Sequence, residues 1–260
     1  MLIGCCSTID KYNDVVRAGF DYIELPGGAL SALSDGVADE WAQIIHNIPC
    51  LGLNAAVPPH VALCGPDFSA AASRTYARLL CKRACPIGVK MIGIGSPQSR
   101  HVAPGYDMEL AWKQAEGFLY ELCDEAARFG MTILWEPLNL SETIFGVDST
   151  ESYEHIARIA SSGINNIGMV GDFYHMAYKG DTVDTLKYTL PMIKHLHIAS
   201  LSDGKRGYAT DADRPTMLPL FKECAIAGLD TISAEAFDGT VAEDGSAFIK
   251  TIKDWIKDCT

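Results

Sequence analysis

The chain has 260 residues, 48% hydrophobic and 21% charged, which excludes a disordered or coiled-coil protein and supplies apolar material for a large core. Its 21 basic and 33 acidic residues leave a net charge of −12, whereas nucleic-acid binders carry a basic face. The basic clusters, such as Lys82-Arg83, are too short to follow a phosphate backbone.

Short apolar or β-branched runs alternate with longer amphipathic segments along the whole chain. In chain order, strands are expected at Leu2–Cys6, Tyr22–Leu25, Cys50–Val57, Val89–Gly95, Thr132–Leu138, Ile167–Asp172, Ile193–Ala199 and Thr231–Phe237. One helix is expected after each, at about residues 9–18, 34–47, 69–85, 108–129, 150–162, 181–190, 215–227 and 244–257. Asp107, Ser149-Thr150 and Asp244 precede helical segments as start signals, and Gly130, Gly163 and Gly228 follow others as stops. Connections of this kind between successive strands require a parallel sheet, and eight βα units close into a (β/α)8 TIM barrel, a single domain over residues 1–260. A doubly wound sheet is disfavoured because no βα turn carries a GxGxxG fingerprint; GIGSP at Gly93–Pro97 is only a fragment of one.

Nine cysteines, an odd number without a CxxC pair, read as reduced thiols in a cytoplasmic protein. Neither a secretory leader nor a membrane span is expected, since no basic residue precedes Lys11 and no apolar run reaches about 18 residues.

Active sites of such barrels lie at the C-terminal ends of the strands, so polar residues there carry information. The fifth strand ends ILWEPLN with Glu136, the sixth contains Asp172, the seventh carries His197 and the eighth Glu235. Three carboxylates crowded together repel unless a cation offsets them or some take up protons, and a divalent metal is the simpler resolution. An oxygen-rich set with one imidazole suits Mn²⁺, Mg²⁺ or Co²⁺ better than structural zinc.

With GSPQSRHVAPGYD at Gly95–Asp107, EPLNLSET at Glu136–Thr143 and GDFYHM at Gly171–Met176, the chain resembles the xylose-isomerase-like TIM barrels. Within them it resembles the sugar (phosphate) isomerase/epimerase branch that contains the ketose 3-epimerases. The resemblance covers nearly the whole chain. It implies a metal held by Glu136, Asp172, His197 and Glu235, and inversion of C3 of a free or phosphorylated ketose through a cis-enediolate. Chelation of the metal by the C2 carbonyl and C3 hydroxyl would stabilise that charge, with Glu136 and Glu235 exchanging acid and base roles. It further implies substrate contacts from Glu142, His175 and an arginine after the seventh strand; Arg206 is the candidate, although SLSDGK before it departs in length from the epimerase pattern. Barrels of this family often form dimers or tetramers, so a homo-oligomer with a small-molecule sugar substrate is expected.

Plainer readings stand beside these. Glu24, at the end of the second strand, is either a solvated carboxylate or a group that binds sugar hydroxyls. Because strand side chains alternate, His195 shares a side with His197 and is expected as a hydrogen-bonded interior histidine. Trp135 should point away from the pocket, His60 and His101 should be surface loop residues more than substrate contacts, and the segment around Gly95-Ser96, with Arg100 close by, is either a backbone approach to the substrate or a plain turn. Cys5 and Cys6 could approach the pocket without being catalytic. The competing functions are an aldose–ketose isomerase, a keto-inositol or keto-sugar dehydratase, and a non-catalytic sugar-binding barrel. An endonuclease IV-like activity is disfavoured, because seven histidines mostly away from strand ends and a charge of −12 suit neither a trinuclear zinc cluster nor DNA.

Overall fold

Parallel strands buried on both faces read as continuous apolar runs, and here each such run contributes one stave of a barrel. In the computed structural model, which describes residues 1–259, the strands are β1 (Leu2–Cys6), β2 (Tyr22–Pro26), β3 (Cys50–Asn54), β4 (Met91–Ile94), β5 (Thr132–Trp135), β6 (Ile167–Asp172), β7 (Ile193–Ile198) and β8 (Thr231–Ala234). They pair in parallel and in sequence order, and β8 returns to β1, closing a (β/α)8 TIM barrel.

The helices among the described residues are α1 (Tyr12–Ala18), α2 (Gly27–Ala32), α3 (Asp35–Ile44), α4 (Ala70–Ala84), α5 (Met108–Ala127), α6 (Ser149–Ser161), α7 (Phe173–Lys179), α8 (Val183–Thr189), α9 (Arg214–Ile226) and α10 (Val241–Lys257). The expected rule of one helix per strand therefore fails twice, after β2 and after β6. The second case has a clear local cause: Asp172 ends β6 and caps α7 at once, its Oδ1 accepting from the Tyr174 N–H at 2.7 Å. Gly180, at φ +76°, ends α7 after two turns.

Asp107 caps α5 as expected, accepting from the Glu109 and Leu110 N–H groups. Two other start signals shift. Asp148, not Ser149, caps α6 through the Glu151 N–H, and Thr240 caps α10 so that the helix begins ahead of Asp244. Five strands, β3, β4, β5, β7 and β8, also stop short of their expected ends. Beyond β3 and β4 the backbone turns left-handed at Ala55 (φ +39°) and Ser96 (φ +38°), and Pro137 offers no ladder N–H beyond β5. Glu136 and Glu235 thus lie just past β5 and β8. They are still held by the ladder, since the Glu136 N–H donates to Ile94 O (3.3 Å) and the Glu235 N–H to Ile198 O (3.0 Å).

Trp135 points outward as expected, buried against Trp112 and Phe145, with its ring N–H on Ser152 Oγ at 3.2 Å. All nine cysteines are free thiols. No helix among the described residues is long and apolar enough to cross a membrane.

Candidate metal centre at the barrel mouth

The register of β6, β7 and β8 pairs Asp172 with His197 and His197 with Ser233, which brings the ends of these strands level. Glu136, Asp172, His197 and Glu235 consequently meet: one donor atom from each lies within 4.8 Å of every other, and all four residues are buried. His197 Nδ1 stands 3.1 Å from Glu136 Oε1 and 3.4 Å from Glu235 Oε2. The neighbouring strand has to leave room. A Cβ at Gly95 would fall 2.2 Å from Glu136 Oε2, so glycine there lets the carboxylate cross the end of β4.

Concentrated negative charge shapes the titration of the cluster. Burial, followed by the charge of Glu235, pushes the Glu136 carboxyl up to about 7. Burial would also raise Asp172, but His175 and then Arg206 outweigh it and bring that carboxyl down to about 2. Burial would depress His197, yet the carboxylates of Glu235 and Glu24 around it raise it well above the ordinary imidazole value. Three acid side chains and one imidazole converging on one buried point form a donor set that fits a hard or borderline divalent cation.

Below this cluster lies a second one. Glu24 is 2% exposed and faces into the barrel, which removes the solvated-loop reading. Its Oε1 meets His195 Nε2 at 2.7 Å and accepts from Ser233 Oγ, while Oε2 meets His197 Nε2 at 3.4 Å. The sugar-contact expectation for Glu24 thus meets a residue lodged beneath the mouth, with both oxygens engaged by protein groups. His195 is an interior histidine whose other nitrogen meets Thr231 Oγ1 at 2.9 Å. Packing is tight here too, since a Cβ at Gly52 would lie 2.7 Å from Glu24 Oε2.

Above the cluster stand the other expected contacts. The loop after β7, despite its unusual length, delivers Arg206 into the mouth. Its Nη2 donates to Asp172 Oδ2 at 3.1 Å and to Glu235 Oε2, and its Nη1 donates to Glu142 Oε1 at 3.2 Å. Tyr174 and Phe237 sandwich the guanidinium at 4.4 and 4.5 Å. His175 Nε2 lies 3.4 Å from Asp172 Oδ2 and 3.9 Å from Glu142 Oε1. Burial lowers the His175 ring to about 4, so it is neutral near pH 7.

Several participants went unrecognised in the sequence. Asn139 touches His175, Tyr174 and Phe237 flank Arg206, and Ser233 supports Glu24. Asn139 had a signal, being a polar residue inside the EPLNLSET string; the others are ordinary residues whose role comes from what folds against them. Arg100 is fully buried behind the strand ends, on the side of Trp135. Its guanidinium donates to the carbonyls of Ile94 and Glu136 and lies 4.0 Å over Trp135, tying the ends of β4 and β5 together. Cys6 does approach, with Sγ 3.8 Å from His197 Nε2, but burial and then Glu24 push its thiol up well above the usual range, so it stays protonated. His60 and His101 are exposed.

Beside Glu235 and Cys6 opens a cleft of about 630 Å³, within the range of small-molecule sites. Pro26, Ala55, Phe237 and Val241 contribute apolar wall, and Ser7, Thr8, Asn54 and Lys11 contribute polar wall.

Residues 12–252 match the family described as xylose isomerase-like TIM barrel, and the chain belongs to it. Its fold is similar to that of 3-keto-D-glucoside 4-epimerase from E. coli, at 18% identity over all of both chains and a TM-score of 0.75. It is similar also to D-psicose 3-epimerase from Clostridium cellulolyticum H10, solved with D-tagatose, at 18% identity, 100% of this chain, 96% of the other and a TM-score of 0.73. A third similar structure is the IolI protein with a binding zinc atom, at 22% identity, 100% and 99% coverage and a TM-score of 0.72. At these identities the likeness speaks for the barrel. No curated protein matches the chain by sequence.

Proposed function

We propose that this protein is a divalent-metal-dependent sugar epimerase that inverts C3 of a ketose. The observation that carries the reading is the meeting of Glu136, Asp172, His197 and Glu235 at one buried point of the barrel mouth. These four side chains would hold the metal, with Mn²⁺ favoured by the oxygen-rich set, and Co²⁺ or Mg²⁺ as alternatives. A bound divalent cation would supply the positive charge that stabilises an enediolate.

The remaining work belongs to the chain. Inversion next to a ketone needs a base on one face of the carbon and an acid on the other, and Glu136 and Glu235 approach the centre from different strands. Microscopic reversibility then lets the two exchange roles between directions. Arg206, His175 and Glu142 border the same space and would hold sugar oxygens, the first two by donating and Glu142 by accepting.

The cleft favours a free ketose over a phosphorylated one. Lys11 is its one cation among the described lining residues; it stands 3.9 Å from Asp10, and Asp14 and Glu243 line the same cleft. The start of α10 at the cleft is capped by Thr240 and carries Glu243 and Asp244 in its first turn, which leaves little positive potential for an anion. A cytoplasmic homo-oligomer, a dimer or tetramer, belongs to the same reading. The exposed apolar side chains Leu140, Ile144 and Phe237 support self-association, and light scattering on the eluted protein would measure it.

The test is incubation with Mn²⁺, and in parallel Co²⁺, Mg²⁺ and Zn²⁺, against free and phosphorylated ketoses in D₂O. Deuterium entering C3 together with the epimeric ketose is the expected result. Exchange at C1 with an aldose product would make the protein an aldose–ketose isomerase, and loss of water to an enone a dehydratase. Metal binding without any exchange would leave a sugar-binding barrel and overturn the enzymatic reading.

A further inference from the structure

We propose that Asn139 is a positioning residue that fixes the His175 ring with its proton on Nε2, so that this imidazole offers a donor to a sugar oxygen; the inference rests on the sugar-site reading above. Asn139 is fully buried, and its carboxamide sits between two partners. On one side the Ser141 backbone N–H, which can only donate, lies 2.9 Å from Oδ1, and the Ser141 hydroxyl donates to the same oxygen at 2.5 Å. The backbone donor settles which end of the amide is oxygen. On the other side the amide nitrogen therefore faces His175 Nδ1, at 2.9 Å. An amide NH₂ donates and does not accept, so Nδ1 must supply a lone pair, and the proton of the neutral ring resides on Nε2.

That proton is aimed at the mouth, where Nε2 lies 3.4 Å from Asp172 Oδ2 and 3.9 Å from Glu142 Oε1. With the opposite tautomer a lone pair would face two carboxylates, leaving acceptors against an acceptor. The same residue also shapes the loop that carries Glu142, because the Glu142 and Thr143 N–H groups donate to the Asn139 carbonyl at 3.1 and 3.3 Å. Asn139 thus sets a donor, His175, beside an acceptor, Glu142. A hydroxyl can satisfy both at once, by accepting from the first and donating to the second; an ammonium can only donate and would leave the His175 N–H unmatched.

Asn139→Asp separates the two roles of Asn139. It keeps an oxygen for the Ser141 turn but replaces the donor at His175 by an acceptor, which draws the ring proton to Nδ1. In ¹⁵N-histidine-labelled protein, with the His175 signals assigned through their loss in His175→Gln, the wild type should show a protonated Nε2 and a bare Nδ1. Asn139→Asp should reverse them. For the ketose that exchanges fastest in D₂O, KM should rise about tenfold with a smaller change in kcat, as for one lost hydrogen bond. In a His175→Gln background the Asp substitution should add little. A wild-type ring protonated on Nδ1, or a KM increase of equal size in both backgrounds, would overturn the proposal. Should the Asp variant not fold, Asn139→Ala removes the donor without adding charge and should give mixed tautomers; an unchanged spectrum would again count against the role. The spectrum needs no substrate, so a wild type with the expected tautomer but no ketose exchange defeats the epimerase reading alone.

Discussion

Glu235 bears on Arg206, whose Nη2 donates to it, and on His197 Nδ1 at 3.4 Å, so its charge serves the site more than the packing. Glu235→Gln preserves volume and removes the carboxyl proposed to carry the proton. Deuterium exchange at C3 should fall by about 10²- to 10⁴-fold, the usual worth of a general acid or base. The melting temperature should stay within a few degrees; a variant that loses its fold in proportion to its exchange would point to a structural role instead. His175 makes a different prediction. Its ring titrates near 4 in the folded protein because it is buried, against about 6.5 in an unfolded chain. The unfolded state therefore binds the extra proton first, and stability falls as pH drops from about 6.5 through about 4. The loss has an upper bound of about 3 kcal/mol from the size of that shift. Urea midpoints across this window should slope less in His175→Gln, and an unchanged slope would remove His175 as the cause.

At the scale of elements, the end of β4 is where fold and site are most closely joined. Arg100 ties the carbonyls of Ile94 and Glu136, and Gly95 leaves space for the Glu136 carboxylate. Gly95→Ala should push that carboxylate aside, because the new Cβ would start 2.2 Å from Oε2. Mn²⁺ affinity measured by calorimetry should weaken about 10- to 100-fold, as when a ligand loses its support, and unchanged affinity would remove Glu136 from the ligand set. Elements were also where reading from sequence went furthest. All eight strands overlap their expected runs, since a strand buried on both faces is a local apolar signal. The misplacements have local causes that composition does not display: left-handed residues Ala55 and Ser96 shorten β3 and β4, and a capping Asp172 starts an extra helix inside what looked like a loop.

At the scale of the whole molecule, closure of the barrel would couple the proposed metal binding to stability. A cation held by side chains from β5 to β8 and their flanking ends, as proposed, would be bound only when those strands stand together, so binding would stabilise the folded state. At about 100 times Kd the gain is about 2.7 kcal/mol, which for a domain of this size corresponds to about 5–10 °C in melting temperature. Calorimetry with and without Mn²⁺ should show that rise, and a chelator should reverse it. Asp172→Asn should show a smaller rise, and an equal one would place the ion elsewhere. The sequence by itself determined the staves of the barrel, the strand ends carrying Glu136, Asp172, His197 and Glu235, and the outward face of Trp135, because each follows from local periodicity. Which atoms touch was decided by tertiary structure. Glu24 and His195 are 171 residues apart, and Arg206 and Glu142 are 64 apart. Closing β8 onto β1 brings Glu24 under His197, and the pairing of β6 with β7 brings Arg206 over Asp172; contacts at such separations have no signature in any one segment.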